Sequence, residues 1–200
     1  YDSSGIAALN RKAELHRVRS LGKIKNLQEK IAQTEAGLSG GCAIGHTRWA
    51  THGVPSENNA HPHMSSDQVT IVHNGIIENY QHLKSNQEQQ GYRFESETDT
   101  EVIAHAVHYH FQNTQDLYVA VKQATVEFEG AYAIGVICKD EPDTLIAARK
   151  GSPLVIGVGI GENFIASDVS ALLPVTQQFI FLEEGDIAKI TRDTIAIFDA

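Results

Sequence analysis

Long apolar runs are missing from this sequence. None approaches the roughly 20 residues that span a bilayer, and no signal-peptide pattern opens it, so no membrane segment is expected. Cysteine is nearly absent: Cys42 and Cys138 are the only two. Both lie in apolar, strand-like stretches, where two buried free thiols in a reducing cytoplasm are the simplest expectation and nothing asks for a disulfide. Basic charge is short as well, with 16 Lys and Arg against 25 Asp and Glu and a formal charge of −9. Nucleic acid is therefore not an expected partner, because phosphate binding wants a basic face. Repeats, low-complexity stretches and linkers are also absent. What remains is an ordinary globular composition, 42% apolar and 20% charged over 200 residues, enough for one domain with a full core across residues 1–200.

Residues 5–9 read as a short strand, with Asp2, Ser3 and Ser4 marking a turn before it. Residues 24–32 carry helical spacing and end before the glycines of residues 37–41. Residues 42–44 form a brief strand, residues 53–67 with Pro55 and Pro62 a long loop, and residues 69–72 a β-branched strand. Three helical patterns follow: Ile76, Tyr80 and Leu83, ending by Gly91; Ile103, Val107 and Phe111; and Leu117, Val121, Ala124 and Phe128, closed by Gly130 as a C′ glycine. Strands are then expected at 131–138, 144–148, 154–158, 164–166, 179–182, 187–190 and 194–198. The turns between them are short, 139–143 for example, which favours antiparallel hairpins. Helices in the middle and strands at both ends indicate an α+β fold, with helices covering antiparallel sheets.

Two peptides concentrate the chemistry. The first is Gly45, His46, Thr47, Arg48, Trp49, Ala50, Thr51, His52 and Gly53; the second is Val72, His73, Asn74, Gly75, Ile76, Ile77, Glu78 and Asn79. Arg48 follows an apolar strand, and a guanidinium fork suits a carboxylate through two parallel charged hydrogen bonds. A surface ion pair is the ordinary alternative, but Trp49, Thr51, His52 and Gly53 form an unusually rich patch for a structural loop. Trp49 taken alone reads as core packing. Asp99 stands just before the helix marked by Ile103, where Ser96 with Asp99 and Thr98 with Glu101 both match a capping box. An aspartate there is favoured by the helix dipole and can also hold an ammonium group. Arg48 with Asp99 is thus the minimal recognition pair for a free α-amino acid. Asn74 and Gly75 read as a tight turn, or as a side-chain amide and a bare N–H converging on one oxyanion.

Metal and phosphate chemistry find less support. His46, His52, His61, His63, His105 and His108 lack the H-E-x-x-H spacing and paired cysteines of a zinc site. Gly157, Gly159 and Gly161 lack the lysine and long helix of a phosphate loop, so a hairpin turn is expected there.

Together these peptides resemble the glutaminase domain of the glutamine–fructose-6-phosphate aminotransferase family, a branch of the class II glutamine amidotransferases. The resemblance runs the whole length. It includes residues 1–5 and 45–53, Asn59 through His63 (Asn-Ala-His-Pro-His), and residues 73–79, 96–101, 151–154, 165–168 and 181–186. It implies a four-layer αββα sandwich of two antiparallel sheets, of the N-terminal-nucleophile hydrolase type. It further implies that Arg48 binds the α-carboxylate of L-glutamine and Asp99 its α-ammonium. Thr51 and His52 would help hold the amino-acid end, Trp49 would ride on a loop closing over the site, and Asn74 and Gly75 would form the oxyanion hole.

The family's nucleophile is an N-terminal cysteine whose α-amino group, with a pKa of roughly 8, serves as base. Position one is Tyr1, so that cysteine is expected to lie before this sequence, with a strand and a helix, and two sugar-isomerase domains to follow Ala200. The resemblance implies a cytoplasmic, homo-oligomeric parent enzyme without cofactor or metal, making glucosamine 6-phosphate for hexosamine biosynthesis from fructose 6-phosphate; these 200 residues alone are expected to be inactive. The other readings are a non-catalytic glutamine-binding module, a zinc hydrolase built on the histidines, and a class II amidotransferase with a different acceptor.

Overall fold

The computed structural model describes residues 1–10, 12–34, 38, 40–49 and 53–199. The chain begins with β1 (Ser3–Leu9), β2 (Leu15–Leu21), α1 (Ile24–Ala32), β3 (Cys42–Arg48), β4 (His63–Ser65) and β5 (Val69–Ile77). Three helices follow, α2 (Tyr80–Gln89), α3 (Glu101–Thr114) and α4 (Leu117–Thr125). It closes with β6 (Gly130–Cys138), β7 (Glu141–Lys150), β8 (Val155–Val158), β9 (Asn163–Ala166), a 3₁₀ turn at Val169–Ala171, β10 (Phe179–Phe181), β11 (Ile187–Ile190) and β12 (Ile195–Phe198).

Alternation along β6 explains the layering, because successive side chains leave a strand on opposite faces. Tyr132, Ile134, Val136 and Cys138 enter one apolar cluster with Val107 and Phe111 of α3 and Val121 of α4. Ala133 and Ile137 point the other way, into a second cluster with Ala7, Leu9, Ile44, Leu154 and Ile156. β6 belongs to a six-stranded sheet ordered β12-β11-β7-β6-β5-β4, antiparallel throughout. The layer facing it is shared by two three-stranded antiparallel sheets, β2-β1-β3 and β10-β8-β9. Helices α2–α4 cover the far side of the long sheet and α1 packs on β1 and β2. The fold is α+β, an αββα arrangement with antiparallel sheets. Residues 159–162 turn the hairpin between β8 and β9, with Gly157 inside β8.

Several boundaries differ from expectation, each for a physical reason. β2 escaped notice because Leu15, Val18 and Leu21 are spaced by three, while Arg17 and Arg19 donate to Pro62, Asn58 and Ala60 carbonyls. The loop 53–67 contains β4, which pairs with β5. Ile76 belongs to β5, and Ile77, opposite Gly130, is fully buried, so the strand runs on where a helix was expected to begin. Glu141, Pro142 and Asp143 lie inside β7, next to a register shift at Cys138. Gly130 opens β6 instead of ending a helix; α4 ends at Thr125 and Phe128 reaches the core from beyond it.

Candidate active site

Arg48 is the last residue of β3 and stays 95% shielded from solvent, at 5% exposure. Its neighbours come from the facing layer. Asn74 and Gly75 lie within β5, with Gly75 opposite Tyr132, so they are strand residues and form no turn. Gly75 has φ +131°, and a Cβ there would come 2.0 Å from the Ala131 carbonyl oxygen; only glycine fits. Asp99 precedes α3, and its Oδ2 accepts the Ile77 N–H at 2.8 Å, which ties the carboxylate to β5.

These residues line one cavity of about 270 Å³, together with Tyr1, His46, Thr47, Trp49, His61, His73, Thr98 and Thr100. The cationic and acidic groups therefore share one cavity. Burial lowers the Arg48 pKa, and Asp2 and Asp99 work against that shift by favouring the charged form. Arg48 Nη2 also donates to the Gly53 carbonyl at 3.3 Å. Trp49 is 72% exposed beside Tyr1, which excludes core packing. Thr51 and His52 lie outside the described residues.

The segment before α3 is wired differently from a capping box. Thr100 occupies the N-cap position without a side-chain cap bond. Thr98 Oγ1 bonds His63 Nε2 at 3.1 Å and Thr100 Oγ1 bonds His73 Nδ1 at 2.9 Å. Glu101 instead reaches back to the Glu95 and Ser96 N–H groups and the Ser96 hydroxyl. Burial would raise its pKa, but His105 and these donors outweigh that and hold it at about 2.

Asn59 fastens the preceding loop to this segment. Its amide donates to Val54 O at 2.9 Å and Glu97 Oε2 at 3.0 Å, and its Oδ1 accepts the Glu97 N–H at 2.9 Å. Gly5 lets β1 approach the same loop, since a Cβ there would stand 2.1 Å from the His61 carbonyl oxygen.

The histidines that suggested a metal pack as rings. His46 stacks on His61 with centroids 4.2 Å apart and planes at 20°, and His61 meets His63 edge-on at 4.9 Å. Burial pushes His63 down to about 3 and His73 down to about 4, and holds His61 well below its ordinary value. Among the described residues, no group of three or more His, Cys, Asp or Glu is disposed to hold a metal ion. His46, His61, His73 and Thr100 are cavity residues that reading by residue type did not assign. Their signal was position alone, His46 and His73 within the two motif peptides and His61 and Thr100 within the 59–63 and 96–101 segments.

Neither thiol takes part. Burial raises both Cys42 and Cys138 to about 11, leaving them protonated at neutral pH. Cys42 also begins the strand that Arg48 ends, about 20 Å away at strand rise.

The antiparallel αββα sandwich places the chain in the structural class of N-terminal-nucleophile amidotransferases. The glutamine phosphoribosylpyrophosphate amidotransferase from B. subtilis, solved with ADP and GMP, is similar with a TM-score of 0.80 at 26% identity, over 99% of this chain and 43% of that one. The glutamine amidotransferase domain family matches residues 46–174, and the chain belongs to that family. The glutamine–fructose-6-phosphate aminotransferase (isomerizing) of Acinetobacter baylyi is 57% identical over 198 residues, covering 99% of this chain and 32% of that protein. The protein of the same name in Legionella pneumophila is 52% identical over 200 residues, covering 100% of this chain and 33% of its own length. The chain thus spans about a third of these curated relatives.

Proposed function

We propose that residues 1–200 form the glutamine-hydrolysing domain of an enzyme that makes glucosamine 6-phosphate from fructose 6-phosphate and glutamine. The observation that carries this reading is the cavity that holds Arg48 at the end of β3, Asp99 before α3 and Asn74 and Gly75 on β5. Arg48 grips the α-carboxylate of L-glutamine and Asp99 its α-ammonium, with Thr51 and His52 supporting that end and Trp49 at the rim. The side-chain amide then lies toward Asn74 and Gly75, whose N–H groups stabilise the negative charge on its oxygen when a nucleophile adds. A donor so placed contributes roughly 3 kcal/mol to the transition state.

The attacking thiolate is the family's N-terminal cysteine, which is not among these residues; the protonated Cys42 and Cys138 leave that role open. Released ammonia passes to sugar-isomerase domains elsewhere in a cytoplasmic, homo-oligomeric parent protein. The test is Arg48→Ala in the full-length protein. Loss of charged hydrogen bonds worth roughly 1.5–3 kcal/mol raises the Michaelis constant for glutamine about 10- to 100-fold. An unchanged constant removes Arg48 from substrate recognition. A purified preparation of residues 1–200 shows no glutamine turnover; turnover there would overturn the assignment of the nucleophile.

A further inference from the structure

One contact at the cavity joins the two layers. His46 Nε2, on β3, lies 2.8 Å from Asn74 Oδ1, on β5. An amide oxygen only accepts, so with Oδ1 facing the ring Nε2 carries the proton; the buried Nδ1 is what selects this pairing over its converse. His46 Nδ1 is buried, and no acceptor among the described residues meets hydrogen-bond geometry to it, the His73 backbone that also favours the charged ring included. An N–H there would go poorly satisfied, so the same tautomer is favoured. Burial lowers the His46 pKa and the nearby Arg48 charge adds to that, against smaller opposing effects of the Asn74 bond and the His73 backbone. The ring is accordingly a neutral, single-proton donor.

That donor decides which way the Asn74 amide faces. Turned over, the amide would set its NH₂ against the imidazole N–H and lose the bond. With Oδ1 held by His46, Nδ2 is the group left for the cavity. The ring has support of its own: it stacks on His61, whose Nδ1 accepts the His73 N–H at 3.4 Å. His73 immediately precedes Asn74, so the circuit closes on the strand it serves.

Building on the oxyanion reading of Asn74, we propose that His46, backed by His61, is a positioning residue that locks the Asn74 amide with its NH₂ toward the substrate oxygen. His46 itself does not touch the reacting atoms. Its effect falls on the chemical step, not on the anchors Arg48 and Asp99.

The test measures glutamine hydrolysis by the full-length protein carrying H46L, H46Q, H46N, N74A and H46L/N74A. Loss of an oxyanion donor costs about 10²–10³ in kcat, so misorienting it in H46L is expected to lower kcat about 10- to 100-fold while the glutamine KM stays within about twofold. Gln presents an NH₂ near the place of Nε2 and restores kcat to within a few-fold; Asn is too short and does not. The H46L/N74A enzyme matches N74A alone, because orientation of an absent amide is worthless. Wild-type kcat in H46L beside an impaired N74A overturns the proposal while leaving the oxyanion reading intact. Multiplying losses in the double variant do the same. Where H46L does not fold, equal kcat in H46N and H46Q overturns it. An N74A enzyme with unchanged kcat removes the oxyanion reading and this proposal together.

Discussion

Asn59 shows how much a single buried amide can hold. At 2% exposure it makes three side-chain hydrogen bonds, to Val54 and Glu97. Asn59→Ala is expected to cost about 1–3 kcal/mol, the usual penalty for leaving buried partners unsatisfied. Chemical denaturation of the variant checks this; an unchanged midpoint would mean the loop is held elsewhere. Gly75→Ala is harsher in kind, since positive φ and a 2.0 Å approach to Ala131 O coincide. Strain of about 1–3 kcal/mol comes from the dihedral alone, and a lowered melting temperature is the readout. At this scale the candidate cavity was legible in part: Arg48, Asp99, Asn74 and Gly75 stand out by chemistry and all four line it, while Thr51 and His52 lie outside the described residues. His46 and Thr100 do not stand out, because a side chain that serves another side chain carries no mark of its own in the sequence.

Most strands after α4 were legible almost to the residue, β11 at Ile187–Ile190 and β6 within one residue of 131–138, while β2 and the ends of α2 and α4 were not. α3 buries Ile103, Val107 and Phe111 at the spacing seen in the sequence, although residues 101–108 are buried on every side. β2 gives no such signal: Ser20 is buried and the arginines lie along the loop below. β5 is shielded from Val69 to His73 but opens at Asn74, Gly75 and Ile76, so its apolar run stops at Val72 while the strand continues to Ile77. The capping boxes expected at Ser96 and Thr98 do not form, because those side chains are engaged elsewhere, whereas a cap at Asp116 went unread. Asp116 Oδ1 accepts the Val119 N–H at 3.0 Å and caps α4. Asp116→Ala should cost about 1 kcal/mol and Asp116→Asn only a few tenths, measured as the shift in unfolding free energy. Equal effects of the two would mean that the carboxylate, not the cap bond, matters.

For the whole molecule the buried imidazoles set the response to acid. His63 and His73 stay neutral down to about 3 and about 4 because burial disfavours their charged forms, against the pull of Glu101 on the first and Asp99 on the second. An unfolded histidine takes up its proton near pH 6.5. Between those values the unfolded chain binds more protons, so stability is complete above pH 6.5 and falls as the pH drops through the window. Each such histidine contributes about 1.4 kcal/mol per pH unit there. Unfolding free energies measured from pH 7 to 5 should decline accordingly, and a flat profile would contradict the burial of these rings. The layered construction carries one more consequence. His46 and Arg48 ride on one sheet, while Asn74 and Asp99 are fastened to the other. A zwitterion clasped between them acts as a rivet through both plates, so amide-exchange protection on ligand addition should spread into β3 and α3 alike, well beyond the atoms it touches.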